Sequence, residues 1–193
     1  MSKQLKRISR LRVIDGGLHC KMTFNGLKII AAPKDAPPFK IDTLAIEEDT
    51  YLIMSAEPTH IPPAEHPLRF MAELASLEPE KPGSIVIRGR NPIRMMAVVH
   101  DVNQEPTWRE KWIEKALCEI FRQADSRQLS ALGLPLIGTK HGKLKNHRFA
   151  ALLAKAIKKS SFNHLKRLWL ITPVPENVKL VQLLKNRLTV TAS

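Results

Sequence analysis

The run Pro135-Leu136-Ile137-Gly138-Thr139-Lys140-His141-Gly142 gathers glycines, a hydroxyl, an ammonium and an imidazole in one short stretch. Glycines let backbone amides approach an anion closely, Thr139 offers a hydroxyl and Lys140 adds positive charge. His141 is exposed to any anion held there. A phosphate or diphosphate subsite over Gly138–Gly142 is therefore one reading, and a plain strand-to-helix turn that uses glycine for its shape is the other. A second group, Glu47-Glu48-Asp49, has the residue types of an acid/base cluster, although three adjacent acids are expected to form a solvated turn. The chain has 7 histidines, but none stands in a His-x-x-x-His or His-Glu-x-x-His arrangement, so no metal site is expected. His100 falls in an apolar run and reads as a hydrogen-bonded core residue. No serine or cysteine sits in a nucleophile motif.

These residues must be positioned by surrounding elements. Leu18 to Phe24 and Leu27 to Ala32 flank Asn25-Gly26, a strong short signal for a tight β-hairpin. Ile41 to Ile46 and Tyr51 to Met54 carry apolar runs of strand length, and the proline-rich stretch from Glu57 to Pro67 reads as a loop. His66 to Leu77 has near-helical spacing. Ile85 to Arg88 and Met95 to Val102 read as strands. Thr107, with Glu110 three residues on, suits a capping box ahead of a helix whose apolar face is Trp112, Ile113, Ala116, Leu117, Ile120 and Phe121. Ala131 to Ile137 is a buried-strand candidate despite Gly133 and Pro135. A helix with Phe149, Leu152, Leu153, Ala156 and Ile157 inside, a strand at Leu168 to Ile171 and a closing helix at Val178 to Leu188 complete the chain. This alternation predicts an α/β domain whose mixed, mainly parallel sheet is sandwiched by helices in three layers. In such sheets ligands bind beyond the carboxyl ends of the strands, where Gly138–Gly142 falls.

With 193 residues and 44% apolar content, the chain suits one domain, 18–193, after a basic tail or edge element, 1–17. Cys20 and Cys118 are far apart and outside any Cys-x-x-Cys pair, which fits a reducing compartment. No apolar run approaches the roughly 18–20 residues that span a bilayer, and a cytoplasmic protein is expected. The net charge of +13 favours anionic partners without naming one.

From Lys28 to Leu188 the sequence resembles the macro domains, which bind ADP-ribose and in some members hydrolyse its esters or protein links. Pro82-Gly83-Ser84-Ile85-Val86-Ile87-Arg88-Gly89 and Val98-Val99-His100-Asp101-Val102 are similar to two of the family's strands, and Pro135 to Gly142 to its diphosphate loop. The resemblance implies that Asp35 accepts from the adenine amino group. It also sets Asp49 where the family has an asparagine that orients the distal ribose, which makes Asp49 the candidate catalytic residue. The sequence departs from the family at Ile53-Met54-Ser55-Ala56-Glu57, which replaces a glycine-rich loop, and at Lys140, which replaces a glycine. Those departures point to a binder of ADP-ribose or a related nucleotide diphosphate with degenerate or absent hydrolase activity, contacting Asp35, Asp49, Gly138, Thr139, Lys140, His141 and Gly142, with no cofactor.

Two other functions suit the residues. Arg88, Arg90, Arg94, Lys140, Lys143, Lys145 and Arg148, if clustered, would contact nucleic-acid phosphates with steep salt dependence. A non-catalytic domain resembling the macro-like N-terminal domain of cytosolic leucine aminopeptidases would act through a partner.

Overall fold

Asn25 and Gly26 both have positive φ, 47° and 79°, the backbone that a two-residue type I′ turn requires. They join β1 (Cys20–Phe24) to β2 (Leu27–Ala32), antiparallel with Phe24 opposite Leu27. The expected hairpin therefore forms, at one edge of the sheet. The computed structural model describes residues 20–55 and 78–189. The basic tail, the proline-rich loop and the helix expected over His66 to Leu77 lie outside the described residues.

Five further strands follow: β3 (Thr43–Asp49), β4 (Ile85–Arg88), β5 (Ile93–His100), β6 (Ala131–Pro135) and β7 (Arg167–Ile171). The sheet order is β1-β2-β7-β6-β3-β5-β4. Neighbours from β2 to β5 are parallel, and the two edge strands are antiparallel. Parallel neighbours need crossovers: α1 (Glu110–Ser126) links β5 to β6 and α2 (Asn146–Lys159) links β6 to β7, while α3 (Val174–Thr189) follows the last strand. The expected class, a mixed and mainly parallel sheet layered with helices, is the one observed.

The apolar stripes of the three helices meet alternate residues of the strands, such as Ile29, Ala31, Ala97 and Leu134, in one buried cluster. Side chains of opposite parity, Ile30, Ala32 and Trp169, cover the other face, as the period of two requires. Each fully buried Leu, Ile or Phe in these layers contributes about 1.5–3 kcal/mol relative to exposure. Gly133 has a packing reason, because a Cβ there would lie 3.1 Å from both Ile41 and Leu44. Pro135 is tolerated as the last residue of its strand.

Three expectations are corrected. Helix α1 starts at Glu110 with Arg109 as its N-cap and no side-chain cap. Thr107 is occupied elsewhere: its carbonyl accepts from the Asp101 amide at 2.7 Å, beside the bridge between His100 and Trp108. Tyr51 to Met54 is a turn, since the Asp49 carboxylate accepts from the Tyr51 amide and Leu52 takes φ 58°. The acids Glu47, Glu48 and Asp49 are not a solvated turn but the end of β3, with Glu48 and Asp49 buried.

At the start of β3, Asp42 holds two strands in place. Its carboxylate accepts from the Ser130 amide and hydroxyl, each at 2.8 Å, and from the Ala131 amide at 3.0 Å. Burial works against its charge, but these donors and the nearby Arg167 outweigh it and hold the carboxyl below its ordinary range. Among the described residues no helix is long and apolar enough to cross a membrane.

Candidate functional site

Because β3, β6 and β7 run parallel, their carboxyl ends open at one edge of the sheet, where ligands of open α/β sheets bind. A cleft of about 730 Å³ lies there, within the usual size of a small-molecule site. Ala45, Ile46 and Glu47 of β3 form one wall, and Leu136, Thr139, Lys140 and His141 of the loop after β6 form the opposite one. Ile171, Pro173 and Glu176 close a third side, and Lys34, Met54, Ser55 and Asn146 reach in from neighbouring turns.

The loop after β6 is shaped by its own packing. Gly138 has φ 82°, and a Cβ there would lie 2.4 Å from the Ile113 side chain. At Gly142 a Cβ would come within 2.8 Å of the Gly138 carbonyl oxygen and 2.9 Å of Trp108. Both glycines are buried behind the loop, whereas Thr139, Lys140 and His141 line the cleft. The Thr139 amide and hydroxyl both donate to the Leu136 carbonyl, at 3.0 and 2.7 Å.

Glu47 ties the two walls together. One carboxylate oxygen accepts from the Gly138 amide at 3.0 Å, and the other lies 2.6 Å from Nε2 of His100, which donates to it. Both side chains are largely buried, His100 at 4% and Glu47 at 11% exposure. The His141 ring stands edge-on to His100 with centroids 6.2 Å apart. The loop that would receive an anion therefore already holds a carboxylate of the protein itself. Lys34 and Lys140 are matched by Glu47 and Glu176, the latter accepting from Asn146 Nδ2 at 2.5 Å, so the cleft is close to charge-balanced.

Asp49 does not line the cleft. A register shift between Glu48 and Asp49 turns it away, and its carboxylate accepts from the Tyr51 amide at 2.7 Å. Asp35 is exposed in the turn after β2, beside the lining residue Lys34. Glu48 accepts from the Ser55 amide and hydroxyl, and burial pushes its carboxyl above the ordinary range. Sequence reasoning named Glu47 only within the acid cluster expected to be a solvated turn, and missed Lys34, Asn146 and Glu176 as lining residues. Alternation along a strand was an available signal for Glu47, which stands two residues before Asp49 and would share its face. The basic residues read as one cluster are divided. Arg88 and Arg94 pair across β4 and β5 where β5 begins, while Lys140, Lys143, Lys145 and Arg148 follow the end of β6, about 20 Å away along the strands.

Among the described residues no group of three or more His, Cys, Asp or Glu side chains converges as metal ligands. Cys20 and Cys118 are unpaired thiols.

No protein-family model matches the chain, and no curated protein does. Solved structures do. A mutant Oceanobacillus iheyensis macrodomain with ADPR superposes at a TM-score of 0.62, with 16% identity over 90% of this chain and 100% of that one. The macro domain of ganglioside induced differentiation associated protein 2 gives 0.60, with 10% identity over 87% of each chain. The Trypanosoma brucei macrodomain in complex with ADP gives 0.55, with 13% identity over 79% of this chain and 68% of that one. Identities this low speak to architecture, and together with the seven-stranded sheet order they lead to one statement: this chain has the macrodomain fold.

Proposed function

We propose that the cleft binds ADP-ribose or a related nucleotide diphosphate and does not hydrolyse it. One observation carries this reading: the cleft opens at the carboxyl ends of β3, β6 and β7 with the loop 135–142 as its wall, in a fold whose O. iheyensis and T. brucei examples were crystallised with ADPR and ADP. Thr139, Lys140 and His141 meet the diphosphate, and Gly138 and Gly142 give the loop its shape. Asp35, next to Lys34, accepts from the adenine amino group. Asp49 acts through the turn that it holds with Tyr51.

The charge balance of the cleft has a measurable consequence. Exposed charges are screened over roughly 8–10 Å at ordinary ionic strength, so a ligand held by shape and a few donors loses little affinity as salt rises. Calorimetric titration of the full chain with ADP-ribose, ADP and AMP at two salt concentrations tests the reading. The expected result is saturable binding of the two diphosphates with weak salt dependence, reduced by Lys140→Glu. Absence of binding by every diphosphate to the folded protein overturns it.

A further inference from the structure

The chain carries a net charge of +13, yet the cleft is nearly neutral. Among the described residues, the excess collects at the opposite end of the sheet. That end is built from residues 24–28, 39–43, 88–94, 122–131, 155–167 and 184–189, where the parallel strands begin and the three helices finish. The acids in those segments are Asp42 and Asp125, and both are turned onto backbone. Asp42 accepts from the Ser130 and Ala131 amides, and Asp125 from the His164 and Leu165 amides at 2.7 and 3.1 Å.

The cations are spread across this end. Arg88, Arg90 and Arg94 surround the turn between β4 and β5 and are exposed. On the helical side a groove of about 690 Å³ between α2 and α3 is edged by Lys155, Lys158, Lys159 and Arg187. Glu114 holds the Lys155 and Lys159 ammonium groups at 2.7 and 2.8 Å, one carboxylate between two cations. A sheet of seven strands at about 4.8 Å spacing is about 29 Å across. Cations at its two sides therefore reach phosphates most of one duplex turn apart.

We propose that this basic end is a second binding surface, for the phosphate backbone of nucleic acid, independent of base sequence and of the cleft. The apolar groups decide between partners. The exposed large hydrophobics among the described residues, Ile53, Val102, Val174 and Val178, all lie towards the cleft end. The basic end thus offers no apolar anchor of the kind that a protein hot spot or an inserting membrane helix uses. Nor does it offer a free ring for base stacking: Phe24 and Phe162 pack on the core, and Phe39 lies under Arg167 at 5.1 Å. What remains is dense positive charge, which suits phosphates and makes affinity fall steeply with salt.

The test is fluorescence anisotropy of the full chain with labelled RNA and DNA duplexes of about twenty base pairs at about 50 and 200 mM salt. Arg90→Glu, Lys158→Glu and Arg187→Glu are combined in one variant, and Lys111→Glu, Lys145→Glu and Lys179→Glu, exposed residues at the cleft end, in another of equal net charge. The first variant is expected to lose at least tenfold in affinity, with the salt slope reduced by about 2–3. The second stays within about twofold, and each single change in the first set gives a graded loss. Equal losses in the two triple variants overturn the proposal, as does equal or tighter binding of poly-glutamate or phosphatidylserine vesicles at matched ionic strength. Absence of duplex binding by the folded wild type overturns it as well.

Discussion

Glu47 and Gly138 are joined across the cleft by a carboxylate–amide hydrogen bond of 3.0 Å. The same carboxylate receives the His100 imidazole at 2.6 Å. The backbone donor that an incoming phosphate would seek first is thus already engaged. Anion binding in this cleft competes with an internal anion.

Replacing Glu47 by Gln removes that charge while keeping an oxygen for the Gly138 amide. ADP-ribose affinity is expected to rise by about three- to tenfold, the size of one partly screened charge interaction. Glu47→Ala leaves the Gly138 amide and the His100 ring without their partner and is expected to cost about 1–3 kcal/mol of stability. Calorimetry and urea denaturation of both variants measure the two effects. Weaker binding by the Gln variant would show that Glu47 contacts the ligand rather than competing with it.

Gly138 and Lys140 stand in one loop but do different work. Gly138→Ala forces a side chain into positive φ and against Ile113, and is expected to cost about 2–4 kcal/mol. Lys140 is exposed, so Lys140→Glu leaves stability within about 0.5 kcal/mol while weakening diphosphate affinity about tenfold. Thermal melts and titrations of the two variants separate these roles. Comparable stability losses would show that Lys140 is structural.

The layered fold was legible because its signals are local. Asn25-Gly26 specifies the hairpin, and the stripe from Trp112 to Phe121 specifies α1. The loop after β6 was legible too, from its glycines. Glu47 was not, because its role depends on Gly138, far along the chain, and on a bulge that turns Asp49 away. Counting residues along β3 assumes an unbroken alternation, and one bulge shifts every later side chain. The basic residues were misplaced for a related reason: nearness in sequence says little about which end of a parallel sheet a charge occupies.

Two carboxylates make stability depend on pH with opposite signs. The folded-state range of Asp42 is depressed, so its contribution is present above the unfolded value and is lost as pH falls through the depressed one. The range of Glu48 is raised by burial, so stability declines as pH rises from its unfolded value through the raised one. Asp42→Asn is expected to flatten the acid side of the stability profile and to cost about 1.5–3 kcal/mol near neutrality, where its charged hydrogen bonds are complete. Glu48→Gln is expected to remove the decline on the higher side. Guanidinium denaturation from acid to neutral pH reads both, and unchanged profiles would place neither carboxylate in control.

Turnover of ADP-ribosyl esters is expected to be absent even where binding is measurable. Hydrolysis needs a group that takes a proton from water within hydrogen-bond reach of the reacting carbon, and misplacement by about 1 Å costs on the order of a hundredfold. Among the carboxylates near the cleft, Glu47 has one oxygen on Gly138 and the other on His100, Glu176 accepts from Asn146, Glu48 is held by Ser55, and Asp49 faces the Tyr51 amide. His100 is itself buried against Glu47. His141 is exposed and lines the cleft, and among the described residues its ring meets the edge of His100 without a hydrogen bond to a carboxylate. Incubating the purified chain with O-acetyl-ADP-ribose and with mono-ADP-ribosylated protein, and following free ADP-ribose by chromatography, checks this. Turnover above the uncatalysed rate that disappears in His141→Ala would make that imidazole a working base, and turnover lost in Asp49→Ala would show that the turn opens in the complex.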